Sequence, residues 1–181
     1  MIYYTMPFDS TKNIGKYYNN FMDILPTDND WACFADGDTL FTTYNYGTLI
    51  EKAIEENPTA SCFTCFTNRV NCPWQIAPGI DTASNDIMYH RNFGEKLKTI
   101  YGTRVLDVTN TPPQNLLSGF CFILKKSSWK AIGGFKEGML GVDNDLHRKL
   151  QKHGLKFLLI EGLYLYHWYR NGDANEKSHL I

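Results

Sequence analysis

Short apolar runs alternate with amphipathic stretches along most of this chain. Three strand-length runs rich in aromatic residues, at 31–35 (WACFA), 59–67 (TASCFTCFT) and 119–126 (GFCFILKK), predict buried β-strands. Apolar residues recur at helical spacing over 46–54 and, more weakly, over 84–101. An Asn-Pro pair follows the first of these patterns and a glycine follows the second, so both predict helices with defined ends.

Weaker patterns complete the order of elements. Strand-like runs lie at 2–8, 104–108, 156–162 and 163–169, and helical patterns lie at 10–25, around Trp129 and around Leu146 and Leu150. Strands that alternate with helices are typical of an α/β domain. We therefore expect a single domain over 1–181, with a mostly parallel mixed sheet flanked by helices and a polar tail at 170–181.

Composition narrows the class of protein. The chain has 181 residues, 43% of them hydrophobic, and a formal net charge of -1, which suits one domain with a substantial core. Near-neutral charge without a basic block argues against nucleic acid as a partner. No run approaches the ~18 apolar residues needed to span a bilayer, and no secretory leader is recognisable. We therefore expect no membrane span and a cytoplasmic location.

The cysteines lie mostly in apolar runs. There are five, at Cys33, Cys62, Cys65, Cys72 and Cys121. Their odd number and their apolar surroundings favour reduced, buried thiols over a disulfide framework. Cys62 and Cys65 form a CxxC, a spacing that also occurs in zinc sites. Because the surrounding run alternates like a strand and no second pair follows, a core strand is the favoured interpretation.

The run at 31–35 ends in Asp36, Gly37 and Asp38. In an open α/β sheet, ligand-binding groups gather at the carboxyl ends of the strands. Two carboxylates at positions i and i+2 repel each other unless a cation or strong hydrogen-bond donors lie between them. The pair therefore suits a divalent cation such as Mg²⁺ or Mn²⁺ that bridges the phosphates of a ligand. The alternative is a turn in which Asp36 caps local amides.

Four stretches in a fixed order resemble the glycosyltransferases of the GT-A fold, above all the family-2-type enzymes. They are the apolar run ending in DGD (31–38), the run SGFCFILKK followed by a helix and GGF (118–135), the segment GVDNDL (141–146) and the late histidine of YHWYR (166–170). The resemblance implies a GT-A-like (Rossmann-like) domain. It also implies metal-dependent, inverting transfer of a sugar from a nucleotide diphosphate sugar, UDP-linked, to the hydroxyl of a carbohydrate or other acceptor.

The resemblance implies a metal site of three residues. Asp38 would ligate Mn²⁺ or Mg²⁺ directly, Asp36 would support the metal or hold the donor's ribose, and His167 would be the third ligand. The residues alone also allow a half-buried histidine of a strand, since His167 shares one strand face with Leu163 and Leu165. Arg170 would contact a donor phosphate, with a solvated chain segment as the alternative.

The resemblance also places the general base at Asp143, with Asp145 two residues further on. Both lie at the start of a predicted helix, where the helix dipole favours negative charge, so N-terminal capping is the alternative. Val142 stands where the family carries an acidic residue. Apart from the resemblance, Trp74 beside Gln75 is the aromatic candidate for lining the donor or acceptor pocket, because sugar sites use aromatic faces.

The chain departs from the family near its first residues. Family members carry two strands that hold the nucleotide base, whereas only residues 1–8 precede the segment NIGKYYN of this chain. Thr5 and Pro7 would then lie near the nucleotide, and Asn19 matches a donor-site asparagine of the family. Either this short segment completes the donor site, or a partner or a second copy of the chain does. The alternative function is a non-catalytic module for sugar binding, nucleotide binding or assembly.

Overall fold

The computed structural model describes residues 1–169, so Arg170 lies outside the described residues. Its strands are β1 (Ile2–Thr5), β2 (Trp31–Ala35), β3 (Thr39–Phe41), β4 (Ala60–Thr67), β5 (Val105–Asp107), β6 (Cys121–Lys125) and β7 (Lys156–His167). Its helices are α1 (Ile14–Ile24), α2 (Tyr46–Glu56), α3 (Ile87–Tyr101), α4 (Lys126–Ala131) and α5 (Val142–Lys152), and a 3-10 turn covers Pro73–Gln75. None of these helices is both long enough and apolar enough to cross a membrane.

The described strands form one seven-stranded mixed sheet. Their order is β1-β2-β6-β4-β7-β3, and β5 also pairs with β7. β1 pairs with β2, and β4 with β7, in parallel, whereas β6, β3 and β5 run antiparallel to their neighbours. β1, β2, β4 and β7 thus share one direction, and β6 enters between β2 and β4 in the opposite one. The prediction of an α/β fold with a mixed sheet flanked by helices is confirmed.

Both faces of the sheet are covered by apolar side chains. Every residue of β4 is buried, and successive side chains join two different clusters. α1, α3 and α5 contribute to one cluster, and α2 contributes to the other. Cys62 belongs to the first cluster and Cys65 to the second, so a strand spacing of three places the two thiols on opposite faces. The core-strand interpretation of the CxxC is therefore confirmed.

The two strands predicted over 156–162 and 163–169 form one strand, β7. Its register against β4 shifts after Cys65, which leaves residues 161–163 without a partner on β4. Gly162 packs here against the backbone of Gly102, where an added Cβ would lie 2.1 Å from the carbonyl oxygen. The glycine thus permits a bulge and a close backbone approach. The two halves of β7 pair on their other side with β5 and with β3, a short strand that the sequence pattern did not predict.

One edge of the sheet gathers the polar residues of the predicted site. β2, β4 and β7 end at this edge, and β6 begins there because it runs in the opposite direction. Asp36 and Asp38 follow β2, and His167 is the last residue of β7. The chain that enters β6 at the same edge carries Gly119. This is the edge at which open α/β sheets bind ligands.

Candidate functional site

The three predicted metal ligands lie together at this edge. Asp36, Asp38 and His167 each offer one ligand atom, and these atoms all lie within 4.8 Å of one another. His167 Nε2 is 3.4 Å from Asp38 Oδ1. The side chain of Asp38 is 42% exposed, whereas that of His167 is 5% exposed. The cluster is therefore anchored on the protein side and open at Asp38, which leaves room for oxygen atoms of a ligand.

The chain that follows β4 orients the imidazole of His167. Its Nδ1 lies 2.9 Å from the carbonyl oxygen of Arg69, and its backbone N–H donates to Asn68 Oδ1 at 2.7 Å. A carbonyl oxygen only accepts, so Nδ1 donates to it and Nε2 is the ring nitrogen that faces Asp38. This arrangement is the usual outer support of a metal-binding histidine. An unprotonated Nε2 repels the Asp38 carboxylate, so a cation or a further proton between the two side chains would stabilise them.

Asp36 is in an unfavourable environment for a negative charge. Burial, and after it the charge of Asp38, raise the pKa of the Asp36 carboxyl to about 7. A divalent cation among Asp36, Asp38 and His167 would relieve both the desolvation and the repulsion. Carboxylate oxygens suit Mg²⁺ and Mn²⁺, and an imidazole nitrogen is accepted more readily by Mn²⁺. The residues present therefore fit the predicted metal.

A cavity of about 360 Å³ opens beside the cluster, and we call it the donor cavity after the ligand that the sequence predicts for this site. Its wall includes all three predicted ligands, Asp143 at the start of α5, and the segment 139–141 that precedes this helix. The volume lies within the ~300–1,000 Å³ that is common for small-ligand sites. The sheet edge and the start of α5 thus enclose one space that reaches both the metal cluster and the predicted base.

The wall segment before α5 is fixed to the start of α1. Gly138 N–H donates to Asn13 Oδ1 at 2.7 Å, and Gly15 N–H donates to the Gly138 carbonyl oxygen at 3.0 Å. Gly15 has no room for a side chain, because an added Cβ would lie 1.9 Å from the carbonyl oxygen of Lys136. Asn13 and Gly138 are 125 positions apart in sequence. One wall of the donor cavity is therefore held in place by contacts between residues that are distant in sequence.

Asp143 is held at the wall of the donor cavity by two backbone groups. Gly119 N–H donates to its Oδ2 at 2.9 Å, and Asn144 N–H donates to its Oδ1 at 2.8 Å. Burial raises the pKa of the Asp143 carboxyl above its ordinary value, and these two hydrogen bonds oppose the rise. A carboxylate with a raised pKa is a better proton acceptor near neutral pH. Capping of α5 alone does not explain this placement, because Asp143 Oδ2 also accepts from Gly119 N–H in the segment before β6.

Buried side chains clamp the segment 117–119 that supplies the Gly119 N–H. Gln75 Oε1 accepts from Ser118 N–H at 2.9 Å, and Gln75 Nε2 donates to the Ser118 carbonyl oxygen at 3.2 Å and to Thr64 Oγ1 at 3.1 Å. Gln75 is fully buried. The aromatic side chain of its neighbour Trp74 gives no hint of this role, because the hydrogen-bond partners of Gln75 lie 11 and 43 positions away in sequence.

Helix α5 completes the clamp. Asn144 Nδ2 donates to the Leu117 carbonyl oxygen at 2.9 Å, and Leu117 N–H donates to His147 Nδ1 at 3.0 Å. Because His147 Nδ1 accepts, its proton is on Nε2, which lies 3.1 Å from the Val108 carbonyl oxygen. The imidazole is fully buried and neutral, and burial lowers its pKa. The sequence pattern did not indicate either residue as part of the site.

The clamp predicts a pH dependence of stability. A histidine whose folded pKa is lowered stabilises the fold above its unfolded pKa of about 6.5, and this contribution is lost as pH falls through the folded value. We expect the contribution of His147 to the free energy of unfolding to fall between pH 7 and pH 5. Asp36 and Asp143, whose pKa values are raised, contribute in the opposite direction, so the comparison is made between variants: His147→Asn should lower the change in unfolding free energy per pH unit by up to about 1.4 kcal/mol. Urea titrations at several pH values measure it. His153→Asn, at an exposed position, is the control, and equal slopes in both variants would contradict the prediction.

Two predicted donor-site positions lie outside the donor cavity. Thr5 Oγ1 is 2.6 Å from the hydroxyl of Tyr17, and Pro7 is half-buried, but neither residue lines the cavity. The predicted contact of Thr5 and Pro7 with the nucleotide is therefore not supported by their position. β1 has a neighbour on one side only within the described sheet, so its outer side is unpaired there.

Asn19 has a structural position rather than the predicted place beside the donor. Its Oδ1 accepts from Trp129 Nε1 at 2.9 Å and from Phe135 N–H at 2.8 Å, and its Nδ2 donates to the Phe135 carbonyl oxygen at 3.0 Å. These bonds fasten the GGF turn to α1. Both the oxygen and the nitrogen of the amide are engaged in these hydrogen bonds, and Asn19 does not line the donor cavity.

Trp74 and Asp145 also lie away from the donor cavity. Trp74 Nε1 donates to the Asn115 carbonyl oxygen at 2.7 Å, and its ring packs edge-on against Phe157, so it belongs to the core. Asp145 forms an ion pair with Lys149 at 2.9 Å. Residues two positions apart on a helix do not share a face, so Asp145 turns away when Asp143 faces the cavity. The positions of Trp74 and Asp145 therefore do not support the pocket role and the catalytic role predicted for them.

Comparison with known proteins assigns no family to the chain, since no protein-family model and no curated protein matches it. The function of the site therefore has to be inferred from the geometry of its residues.

Proposed function

We propose that this protein is a metal-dependent glycosyltransferase that moves a sugar from a UDP-linked donor to an acceptor hydroxyl with inversion. One observation carries the proposal. The cluster of Asp36, Asp38 and His167 and the buried carboxylate of Asp143 line the same cavity. Transfer from a nucleotide diphosphate sugar needs these two groups: a cation site for the departing diphosphate and a base for the acceptor.

The chemistry divides between the two groups. Mn²⁺ or Mg²⁺, held by Asp36, Asp38 and His167, would supply positive charge to neutralise the departing diphosphate. Asp143 accepts the proton of the acceptor hydroxyl, whose oxygen forms the new bond to the anomeric carbon. The bond from that carbon to the diphosphate oxygen breaks, and its electron pair leaves with the nucleotide. The hydrogen bonds from Gly119 and Asn144 keep the Asp143 carboxylate in one orientation during this step.

A non-catalytic module that binds sugar or nucleotide is the second candidate. The observation that favours it is the placement of Thr5 and Pro7 away from the donor cavity, which leaves the nucleotide base without the predicted contacts. The unpaired outer side of β1 in the described sheet offers a place where a partner or a second copy could add them.

Nucleotide release separates the two candidates. The protein is incubated with Mn²⁺, a panel of nucleotide sugars and a mixture of simple sugar acceptors, and free nucleotide is measured with and without EDTA. We expect metal-dependent release from a UDP-sugar. Binding of the UDP-sugar without any release would favour the non-catalytic module, and metal-independent release would contradict the assigned role of the cluster.

Gly119 provides a steric test of how Asp143 is positioned. An added Cβ on Gly119 would lie 2.9 Å from Asp143 Cβ, so Gly119→Ala must shift either Asp143 or the backbone whose N–H holds its carboxylate. We expect about tenfold slower transfer, since small displacements of a reacting group have large effects on rate. Gly47→Ala is the matched control, because its Cβ would meet only the Tyr4 hydroxyl at an ordinary 3.6 Å. Equal rates in the two variants would show that the Gly119 contact does not position the base.

A further inference from the structure

A second cavity of about 250 Å³ adjoins the donor cavity. The two share four residues of their walls, Asn71, Ser118, Gly141 and Asp143. The remaining wall of the second cavity comes from the loop 113–116 and from Asn144. Asp143 therefore faces two spaces, of which only one reaches the metal cluster.

The wall of the second cavity is polar and neutral apart from Asp143. Asn71, Gln114, Ser118 and Asn144 supply amide and hydroxyl groups. Asn144 uses its Nδ2 on the Leu117 carbonyl oxygen, so its Oδ1 remains available to a ligand. Such side chains both donate and accept hydrogen bonds, which matches the hydroxyl groups of a sugar.

The charge of this wall discriminates against anionic ligands. No Lys or Arg among residues 1–169 lines the second cavity. Lys136 is not part of this wall, although its Nζ would lie 3.7 Å from a Cβ added to Gly141. A phosphate or carboxylate bound here would lose water, would contact no cation of the wall and would lie beside the Asp143 carboxylate.

We propose that the second cavity binds the acceptor, and that the acceptor is a neutral, hydroxyl-rich unit of about one sugar ring. This inference rests on the proposed transfer reaction, since it places the acceptor hydroxyl on the side of Asp143 away from the metal cluster. The volume of about 250 Å³ is below the range usual for drug-sized ligands and suits a single small ring. Acceptors that present a phosphate or a carboxylate at this position are excluded by the same argument.

Ligand binding to the whole chain tests the inference. Dissociation constants are measured by saturation-transfer NMR, in the presence of Mg²⁺ and UDP, for methyl glycosides of common hexoses and for the corresponding hexose 6-phosphates. We expect the neutral glycosides to bind at least about tenfold more tightly, the scale of one unpaired or repelled polar group.

A charge added to the wall should reverse this preference. Gln114→Lys places an ammonium in the second cavity, and we expect it to tighten binding of the hexose phosphates about tenfold. Thr59→Lys is the matched control, because it adds the same charge at an exposed position before β4, at the opposite edge of the sheet.

The outcomes distinguish this inference from the proposed function. Tighter binding of hexose phosphates by the parent protein, or no binding of any neutral glycoside while UDP binds, would overturn the acceptor assignment alone. An unchanged phosphate affinity in Gln114→Lys would overturn the location. Failure of UDP to bind in a manner that depends on either Mg²⁺ or Mn²⁺ would overturn the proposed function, and the acceptor assignment with it.

Discussion

Replacing Asp143 by Asn is expected to slow sugar transfer by 10²-fold or more, the lower end of what a positioned general base contributes. The amide cannot accept the proton of an acceptor hydroxyl. Asn has one acceptor oxygen in place of two, so it also loses one of the hydrogen bonds from Gly119 and Asn144. The lost bond is one to a charged group and contributes about 1.5–3 kcal/mol to the free energy of unfolding. This is less than the roughly 5–15 kcal/mol of a typical domain, so the variant should remain folded. Single-turnover transfer with the UDP-sugar donor measures the effect.

Asp145→Asn is the control for this variant. It makes the same substitution on the same helix, but Asp145 pairs with Lys149 and lies outside the donor cavity. We expect its transfer rate to stay close to that of the parent protein, and both variants to keep Mn²⁺-dependent UDP binding. A parental rate in Asp143→Asn, or a product whose anomeric configuration matches the donor, would contradict the role of an inverting base.

Replacing Asp38 by Asn is expected to lower Mn²⁺ affinity by about 100-fold, since even the supporting groups of metal sites contribute 10–100-fold. UDP binding should then lose its dependence on Mn²⁺. The physical reason is the loss of a charged oxygen ligand from a cluster whose atoms lie within 4.8 Å of one another. Isothermal titration with Mn²⁺, followed by titration with UDP, measures both effects.

The same variant separates metal binding from folding. The charge of Asp38 is one of the causes that raise the pKa of Asp36, so its removal relieves repulsion in the metal-free protein. We therefore expect the metal-free melting temperature of Asp38→Asn to equal or exceed that of the parent protein. Asp28→Asn is the control, because Asp28 is exposed and pairs with Lys130 at the opposite end of β2. A lower melting temperature with unchanged Mn²⁺ affinity would mean that Asp38 supports a turn.

Local sequence patterns predicted the strands and helices whose periodicity and end signals lie within or beside the element itself. The run at 31–35, the helix closed by an Asn-Pro pair and the helix closed by Gly102 all form near the expected bounds, because periodicity and stop signals act within one turn or strand. β3 was missed because its three residues are too few to show alternation. Gly162 divided the pattern of β7 into two, although the chain continues through a bulge.

The sequence predicted those residues of the site that lie at the ends of strands. Asp36, Asp38 and His167 were predicted together by resemblance, and strand direction brings them to one edge. The hydrogen bonds of Trp129 with Asn19 and of Trp74 with Asn115 could not be predicted, because these partners lie 110 and 41 positions apart and meet only through packing. The contacts of Gln75 and His147 with the segment 117–119 could not be predicted for the same reason. The role of a buried polar side chain depends on the backbone groups that the fold brings within its reach.

The burial of every cysteine makes the thiols a natural probe of opening motions. All five lie within the described residues, and each is free and buried. Because Cys33, Cys65 and Cys121 belong to the same apolar cluster of the sheet, a thiol reagent reaches them only when the strands or the covering helix separate. Labelling rates under native conditions thus report how often the sheet opens, without any introduced label, and the protein should tolerate oxidising buffers for as long as that opening is rare.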